Sequence, residues 1–253
     1  MRDITVITTG WTLEPSRLDA DAPEGFSTAP VSATVPGCVH TDLLDHDLID
    51  DPYVGTNEDE QHWIGRSAWT YRTSIDVEVD TERSYELVFD GLDTVARVEL
   101  NGQTVAETAN MHRTYRFDVA ELLRPGANDL VVEFMPVREY TDAVVAEAGE
   151  RPNVYPEPFQ YVRKMACNFG WDWGPTLVTA GIWKPVRLES WRTASSRPSV
   201  PSPGLTGRTG FSRSRSTWSS MGPWTHPSTW WSRSPGSRRG SWRPSTAGRL
   251  RRP

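Results

Sequence analysis

Cysteine is scarce in this chain: 253 residues carry two, Cys38 and Cys167. Two thiols cannot make a disulfide framework, and they read as small buried side chains rather than as a bridge or a metal pair. Long apolar runs are missing as well. No stretch approaches the roughly 20 residues that a membrane-spanning helix needs, so no membrane partner is expected. Residues 1–13 lack the basic start, apolar middle and small-residue cleavage site of a secretory leader. With no leader pattern and no membrane span, a cytoplasmic, reducing location is the expectation. Motifs of several enzyme classes are absent too: there is no Gly-x-Ser-x-Gly elbow and no phosphate-cradling glycine loop. His40, His46, His62 and His112 do not fall at ligand spacing with cysteine or paired carboxylates, so they read as structural or surface histidines, and no metal or cofactor is expected. The last absence concerns charge of one sign. Residues 193–253 contain no Asp, Glu or Lys but 11 Arg, whereas residues 1–192 hold all 33 acidic residues against 16 basic ones.

A shift that abrupt marks a boundary. Residues 1–192 can bury a core, whereas 193–253 consist almost wholly of Ser, Arg, Pro, Gly, Thr and Trp and lack Ile, Tyr, Asn and Gln. Such a composition cannot bury a core and predicts a disordered tail. Its tryptophans, Trp218, Trp224, Trp230, Trp231 and Trp242, show no repeat. Arginine and tryptophan among serines could in principle grip nucleic acid through charge and stacking. The reading favoured here is an out-of-frame translation of a GC-rich gene, with no nucleic-acid partner. Translating the other two frames beyond Trp191 tests it.

Within 1–192 the apolar pattern is that of short strands. Ile4 and Val6, then Trp11 and Leu13, suggest an opening strand pair. Trp69, Tyr71, Thr73, Ile75 and Val77 alternate with polar neighbours, as a half-buried strand requires. Tyr85–Phe89, Val95–Leu100, Gln103–Ala106, Tyr115–Val119 and Leu130–Phe134 follow, with closing strands at Val178 and Ile182–Leu188. Asn101-Gly102 is a strong hairpin signal, because both central positions of a type I′ turn need positive φ. Helical spacing occurs over Val39–Leu48, and an Ala/Glu/Val-rich helix is expected over Arg138–Glu150. Many short strands at near-regular intervals predict an all-β jelly-roll sandwich with short helices.

One stretch stands apart: Arg163 to Pro175, read Arg-Lys-Met-Ala-Cys-Asn-Phe-Gly-Trp-Asp-Trp-Gly-Pro. Gly170, Gly174 and Pro175 interrupt any helical period, so this is a shaped loop. A carboxylate between two indoles suits a sugar: indole faces stack on C–H bonds, and an ionised carboxylate accepts hydroxyl hydrogen bonds at charge-assisted strength. The same residues could equally form a packed corner, with Trp171 and Trp173 filling a sandwich edge and Asp172 capping a turn.

The blocks Val35–Leu44, Asp51–Tyr53, Asn57-Glu58, Trp63–Gly65, Trp69–Arg72, Phe89–Ala96, Asn110–Arg113, Arg163–Pro175 and Gly181–Arg187, in this order, resemble the N-terminal, galactose-binding-like domain of β-mannosidases in glycoside hydrolase family 2. The resemblance covers residues of about 10–192. It implies that Trp171, Asp172 and Trp173 face a terminal mannose, and that the substrate of the intact enzyme is a β-mannoside oligosaccharide. It also implies that the two catalytic glutamates, set about 5–5.5 Å apart in a retaining glycosidase, lie on a downstream barrel outside this chain. No catalytic residue is therefore assigned here, and no hydrolysis by the chain alone is expected. Asn57-Glu58 imitates the catalytic Asn-Glu pair but belongs to the N-terminal pattern and is read as a decoy. His112 lies in a matching block and could line the cleft or pack at a strand end. A stand-alone carbohydrate-binding module is the alternative reading. Glucosaminidase, galactosidase and glucuronidase specificities share the same domain plan.

Overall fold

The computed structural model describes residues 2–153 and 157–192, so the whole 193–253 segment lies outside them. The described chain forms two antiparallel sheets. The first has four strands in the order β1 (Arg2–Val6), β10 (Val186–Arg192), β5 (Arg83–Phe89) and β8 (Tyr115–Asp118). The second has six: β3 (Val31–Ser32), β2 (Thr12–Arg17), β4 (Ala68–Val77), β9 (Gly126–Phe134), β6 (Val95–Leu100) and β7 (Gln103–Ala109). This is the expected β-sandwich, with helices α1 (Val39–Asp45) and α2 (Val137–Ala148) added.

The alternation read from the sequence is physical in β4. From Thr73 onwards, buried and exposed residues alternate, and Thr73, Ile75 and Val77 face inward. Its first four residues are buried on both faces. There the Trp69 indole donates to Ile64 O at 2.9 Å, and Tyr71 meets Phe134 edge to face at 5.8 Å. Trp69, Tyr71, Leu87, Phe89, Leu100, Leu130 and Phe134 are almost solvent-free, and each such side chain contributes roughly 1.5–3 kcal/mol of burial free energy.

The hairpin between β6 and β7 also forms. Asn101 has φ 53° and Gly102 φ 77°, the signs that its turn type demands. Asn101 is pinned further by bonds from its amide to Leu122 O and Asn128 Oδ1, both 2.8 Å.

Several expectations shift. The two opening strands do not pair with each other: β1 joins β10 and β2 joins β4, in different sheets. α1 ends at Asp45, three residues early, and leaves Leu44 37% exposed. α2 stops at Gly149 (φ 79°) before any proline is reached. The closing strand runs Val186–Arg192 rather than 182–188, because Pro185 has no N–H to give to a ladder. Val178 lies in no strand; its side chain sits over Gly65, where an added Cβ would come within 2.7 Å.

Candidate functional site

Three connections gather at the end of the sandwich where β5 finishes and β6 begins. They are residues 90–94 between β5 and β6, residues 110–114 between β7 and β8, and the long segment from 157 to 185 between α2 and β10. The long segment is tied down at two stems. At the first, Met111 N donates to Arg163 O at 3.0 Å, alongside an Asn110–Arg163 bridge. At the second, Asp93 and Gly181 exchange two backbone bonds of 2.9 Å, while Gly37 N and Val39 N donate to Ile182 O and Ala180 O at 2.9 Å. Gly181 has φ 152°, and a Cβ there would lie 2.7 Å from Cys38 Cα. Only glycine lets this stem approach α1 so closely.

Between the stems, the short helical turn Ala166–Phe169 drives Phe169 into a small apolar cluster with Val137 and Val162, flanked by Tyr140, Phe159 and Val178. The loop therefore has its own inner footing. Gly170, at φ 93°, then redirects the chain outward. Trp171 pairs with Gly174 in a tight turn closed by Gly174 N to Trp171 O at 3.2 Å, and Asp172 and Trp173 form its tip.

The structure places Trp171, Asp172 and Trp173 at the surface. Trp171 is 43% exposed, Trp173 82% exposed, and Asp172 is exposed as well. Trp173 does not fill the sandwich edge, contrary to the packed-corner alternative. The two rings lie 5.6 Å apart, centroid to centroid, tilted by 57°. That separation is a direct aromatic contact, so the indoles touch each other and leave no slot for a pyranose, which would need two contact layers of about 3.5–4 Å each. Trp171 thus lies against Trp173, which remains largely exposed.

Beneath the loop lies a buried polar cluster. Lys164 Nζ is 2.5 and 2.6 Å from the two oxygens of Asp93, and 2.9 and 3.1 Å from O and Oγ1 of Thr179. Asp93 also accepts from the Thr179 hydroxyl at 2.6 Å and from the Thr94 hydroxyl. Burial presses the Lys164 ammonium below the ordinary lysine range, and the Asp93 carboxylate opposes that shift. His40, on α1, is lowered to about 4 by its own burial and then by the Lys164 charge, with Asp93 pulling weakly the other way. No signal singled out these partners beforehand. Asp93 and Lys164 stood inside two matching blocks, 71 residues apart, and local patterning carries no information about such a pair.

The other candidates are dispersed. Asn57 donates its side-chain amide to Asp51 O at 2.9 Å, and Glu58 begins a 3₁₀ turn. The Asn57 side chain is spent on shaping the acidic loop. His112 is exposed, with its N–H held by Asn110 Oδ1 at 2.9 Å, and His46 bonds to Ser32. Both cysteines are free thiols and neither is fully buried, contrary to expectation: Cys38 is half-buried, and Cys167 is exposed on the turn that sinks Phe169. Among the described residues no group of three or more His, Cys, Asp or Glu side chains could hold a metal ion. A cleft of about 620 Å³ opens at the opposite end of β5, lined by Asp76, Asp80, Arg83 and Tyr85 among others. Its charges are partly matched internally: Arg83 pairs with Asp3, and Asp80 with Arg192.

Residues 11–184 match the family model of the glycosyl hydrolase 2 galactose-binding domain-like domain. Over 183 residues the chain is 38% identical to a β-mannosidase of Bos taurus, covering 66% of this chain and 20% of that protein. It is 37% identical over 196 residues to β-mannosidase B of Emericella nidulans, covering 73% and 22%. Among solved structures, the β-D-mannosidase from Dictyoglomus thermophilum superposes with a TM-score of 0.68 at 34% identity, over 75% of this chain and 23% of that one. An exo-β-D-glucosaminidase, 24% identical with a TM-score of 0.50 over 74% of this chain and 20% of that one, shares the fold. The chain thus spans about a fifth of the length of the curated relatives it matches.

Proposed function

The chain belongs to the glycosyl hydrolase 2 galactose-binding domain-like family, and from that membership we propose that it is the sugar-recognition domain of a β-mannosidase-type glycosidase. In this reading it contributes part of the subsite for a terminal β-D-mannose, while the bond-breaking carboxylates are supplied by residues outside it. The observation that carries the reading is Trp173: an indole 82% exposed at the tip of a loop anchored at both stems. Leaving so large an apolar face in water is unfavourable unless a ligand covers it.

A β-D-mannopyranoside presents three axial C–H bonds on one face, and that face lies flat on the outer side of the Trp173 ring. Trp171 holds the ring from behind. Asp172, one residue away, accepts hydroxyl hydrogen bonds from the sugar's edge. Hydrolysis needs two carboxylates flanking the glycosidic bond, one as acid and base and the other as nucleophile. Neither role is assigned to a residue of this chain.

Saturation-transfer NMR with methyl β-D-mannopyranoside tests the subsite. Transfer to the ring protons of the axial C–H face is expected with the unaltered chain and is lost in Trp173→Ala and in Asp172→Ala. Equal transfer in all three proteins, or none in the first, refutes it. A chromogenic β-mannoside should not turn over, and turnover would place the catalytic carboxylates within this chain. Stable binding by the chain alone, at micromolar affinity, would favour the carbohydrate-module reading instead.

A further inference from the structure

The chain contains 25 arginines and only two lysines, Lys164 and Lys184. Across the outer face of the four-stranded sheet the ion pairing is by arginine: Arg2, Arg116 and Arg187 share Glu86, Asp90 and Glu189. Yet Lys164, with none of its side chain exposed, is a lysine paired inside the protein. A buried ion pair is a poor source of stability, because desolvating both charges offsets most of their attraction, and an apolar pair of equal volume does as well or better. What an apolar pair cannot supply is direction.

We propose that Lys164, Asp93 and Thr179 form a positioning clamp that sets how the Trp171–Trp173 turn is presented, a role that rests on the sugar-subsite reading above. Three separate stretches of chain meet at one ammonium. Lys164 comes from the stem that leads into the loop, seven residues before Trp171. Thr179 comes from the stem that leaves it, six residues after Trp173. Asp93 comes from the connection between β5 and β6 and is locked by two backbone bonds to Gly181.

Lys164 Nζ bonds to both Asp93 oxygens and to both oxygens of Thr179, and the Thr179 hydroxyl closes the triangle on Asp93 at 2.6 Å. The stems can therefore neither slide past each other nor lift from the sandwich without breaking several short bonds at once. A compact ammonium suits this convergence of acceptors, whereas the planar fork of arginine matches a single carboxylate. Residues 165–178, suspended between the two clamped stems, inherit a fixed height and direction for Trp173 and Asp172. Neither Lys164 nor Asp93 reaches the surface, so both act through the loop rather than on the sugar.

The test separates positioning from general stabilisation. The double variant Asp93→Asn/Lys164→Met removes both charges and leaves no uncompensated one behind. By hydrogen exchange, the amides of β4, β5 and β9 should keep their protection while those of residues 165–178 exchange faster by about tenfold or more. Saturation transfer to methyl β-D-mannopyranoside should fall by a comparable factor. Unchanged protection of 165–178, or a loss spread evenly over strands and loop, overturns the clamp. If the double variant does not fold, Lys164→Arg decides by the same exchange measurement: a loop that opens ahead of the strands supports the clamp, and uniform loss refutes it. Absence of saturation transfer in the unaltered chain would sink the sugar reading, whereas the exchange data would still decide the clamp.

Discussion

The phenol of Tyr71 donates a 2.8 Å hydrogen bond to Asp42 Oδ2, joining the middle of β4 to α1 in the interior. Thr34 N holds the other oxygen at 2.8 Å. Burial pushes the Asp42 carboxyl above its usual range, and these two donors pull it back only in part. Tyr71→Phe removes one donor and leaves the carboxylate under-satisfied. The expected cost is about 1–3 kcal/mol, read as a lowered urea midpoint at neutral pH with an unchanged slope. A midpoint within error of the parent would show that the bond contributes nothing.

His40 makes the domain sensitive to mild acid. Its ordinary value of 6.5 is lowered to about 4 in the folded state, so the unfolded chain takes up a proton first as pH falls. Stability from keeping this ring neutral is complete above pH 6.5 and is lost progressively down to about pH 4, where the folded state also binds the proton. The full loss is on the order of 3 kcal/mol. In His40→Gln the slope of stability against pH should flatten across that window. An identical slope in both proteins would remove His40 as its source.

Glu189 acts lower on the pH scale. It lies 3% exposed on the outer face of the four-stranded sheet, where Arg116 and Arg187 bond to it and Arg2 pairs with it at 2.6 Å. Burial alone would raise its pKa, but the Arg116 and Arg187 hydrogen bonds outweigh burial and hold the group below its ordinary 4.5. A depressed acid adds stability that is fully present above pH 4.5 and is lost as pH falls through the folded value. Glu189→Gln should therefore lower the melting temperature at pH 7, a loss of about 1–3 kcal/mol, with the difference between the two proteins shrinking as the pH falls below 4.5. A constant offset between them would contradict the assignment.

Gly181 tests the second stem. Its φ of 152° and the 2.7 Å approach of an added Cβ to Cys38 Cα leave no room for a side chain, and the obstructing atom is backbone. Gly181→Ala should cost about 2–4 kcal/mol and expose the 165–178 segment to limited proteolysis before the strands. Equal stability of the two proteins would mean that the stem can shift away from α1 at little cost.

The residues that announced themselves in the sequence are those whose conformation is dictated by near neighbours. Asn101-Gly102 turns where it should because positive φ at both positions is intrinsic to those two residues. β4 alternates because successive side chains of any strand point to opposite faces. The loop of Trp171, Asp172 and Trp173 was legible from its glycines and proline, which forbid a helix whatever surrounds them. Asn57-Glu58 could be set aside on its place in the pattern, and its bond to Asp51 shows why it sits there.

Contacts between distant segments were not legible. β1 and β2 show the same kind of alternation in sequence, yet they enter different sheets and Ile4 and Val6 of β1 stay exposed, since alternation by itself specifies neither burial nor partner. The sequence set two indoles on either side of Asp172, and only their 5.6 Å separation showed that the rings touch each other. Lys164 read as one more basic residue before a loop until the fold brought Asp93 and Thr179 to its ammonium. Backbone preferences and side-chain period are local properties and can be read residue by residue. Which buried charge meets which depends on the closure of the whole sandwich, so it was decided only in three dimensions.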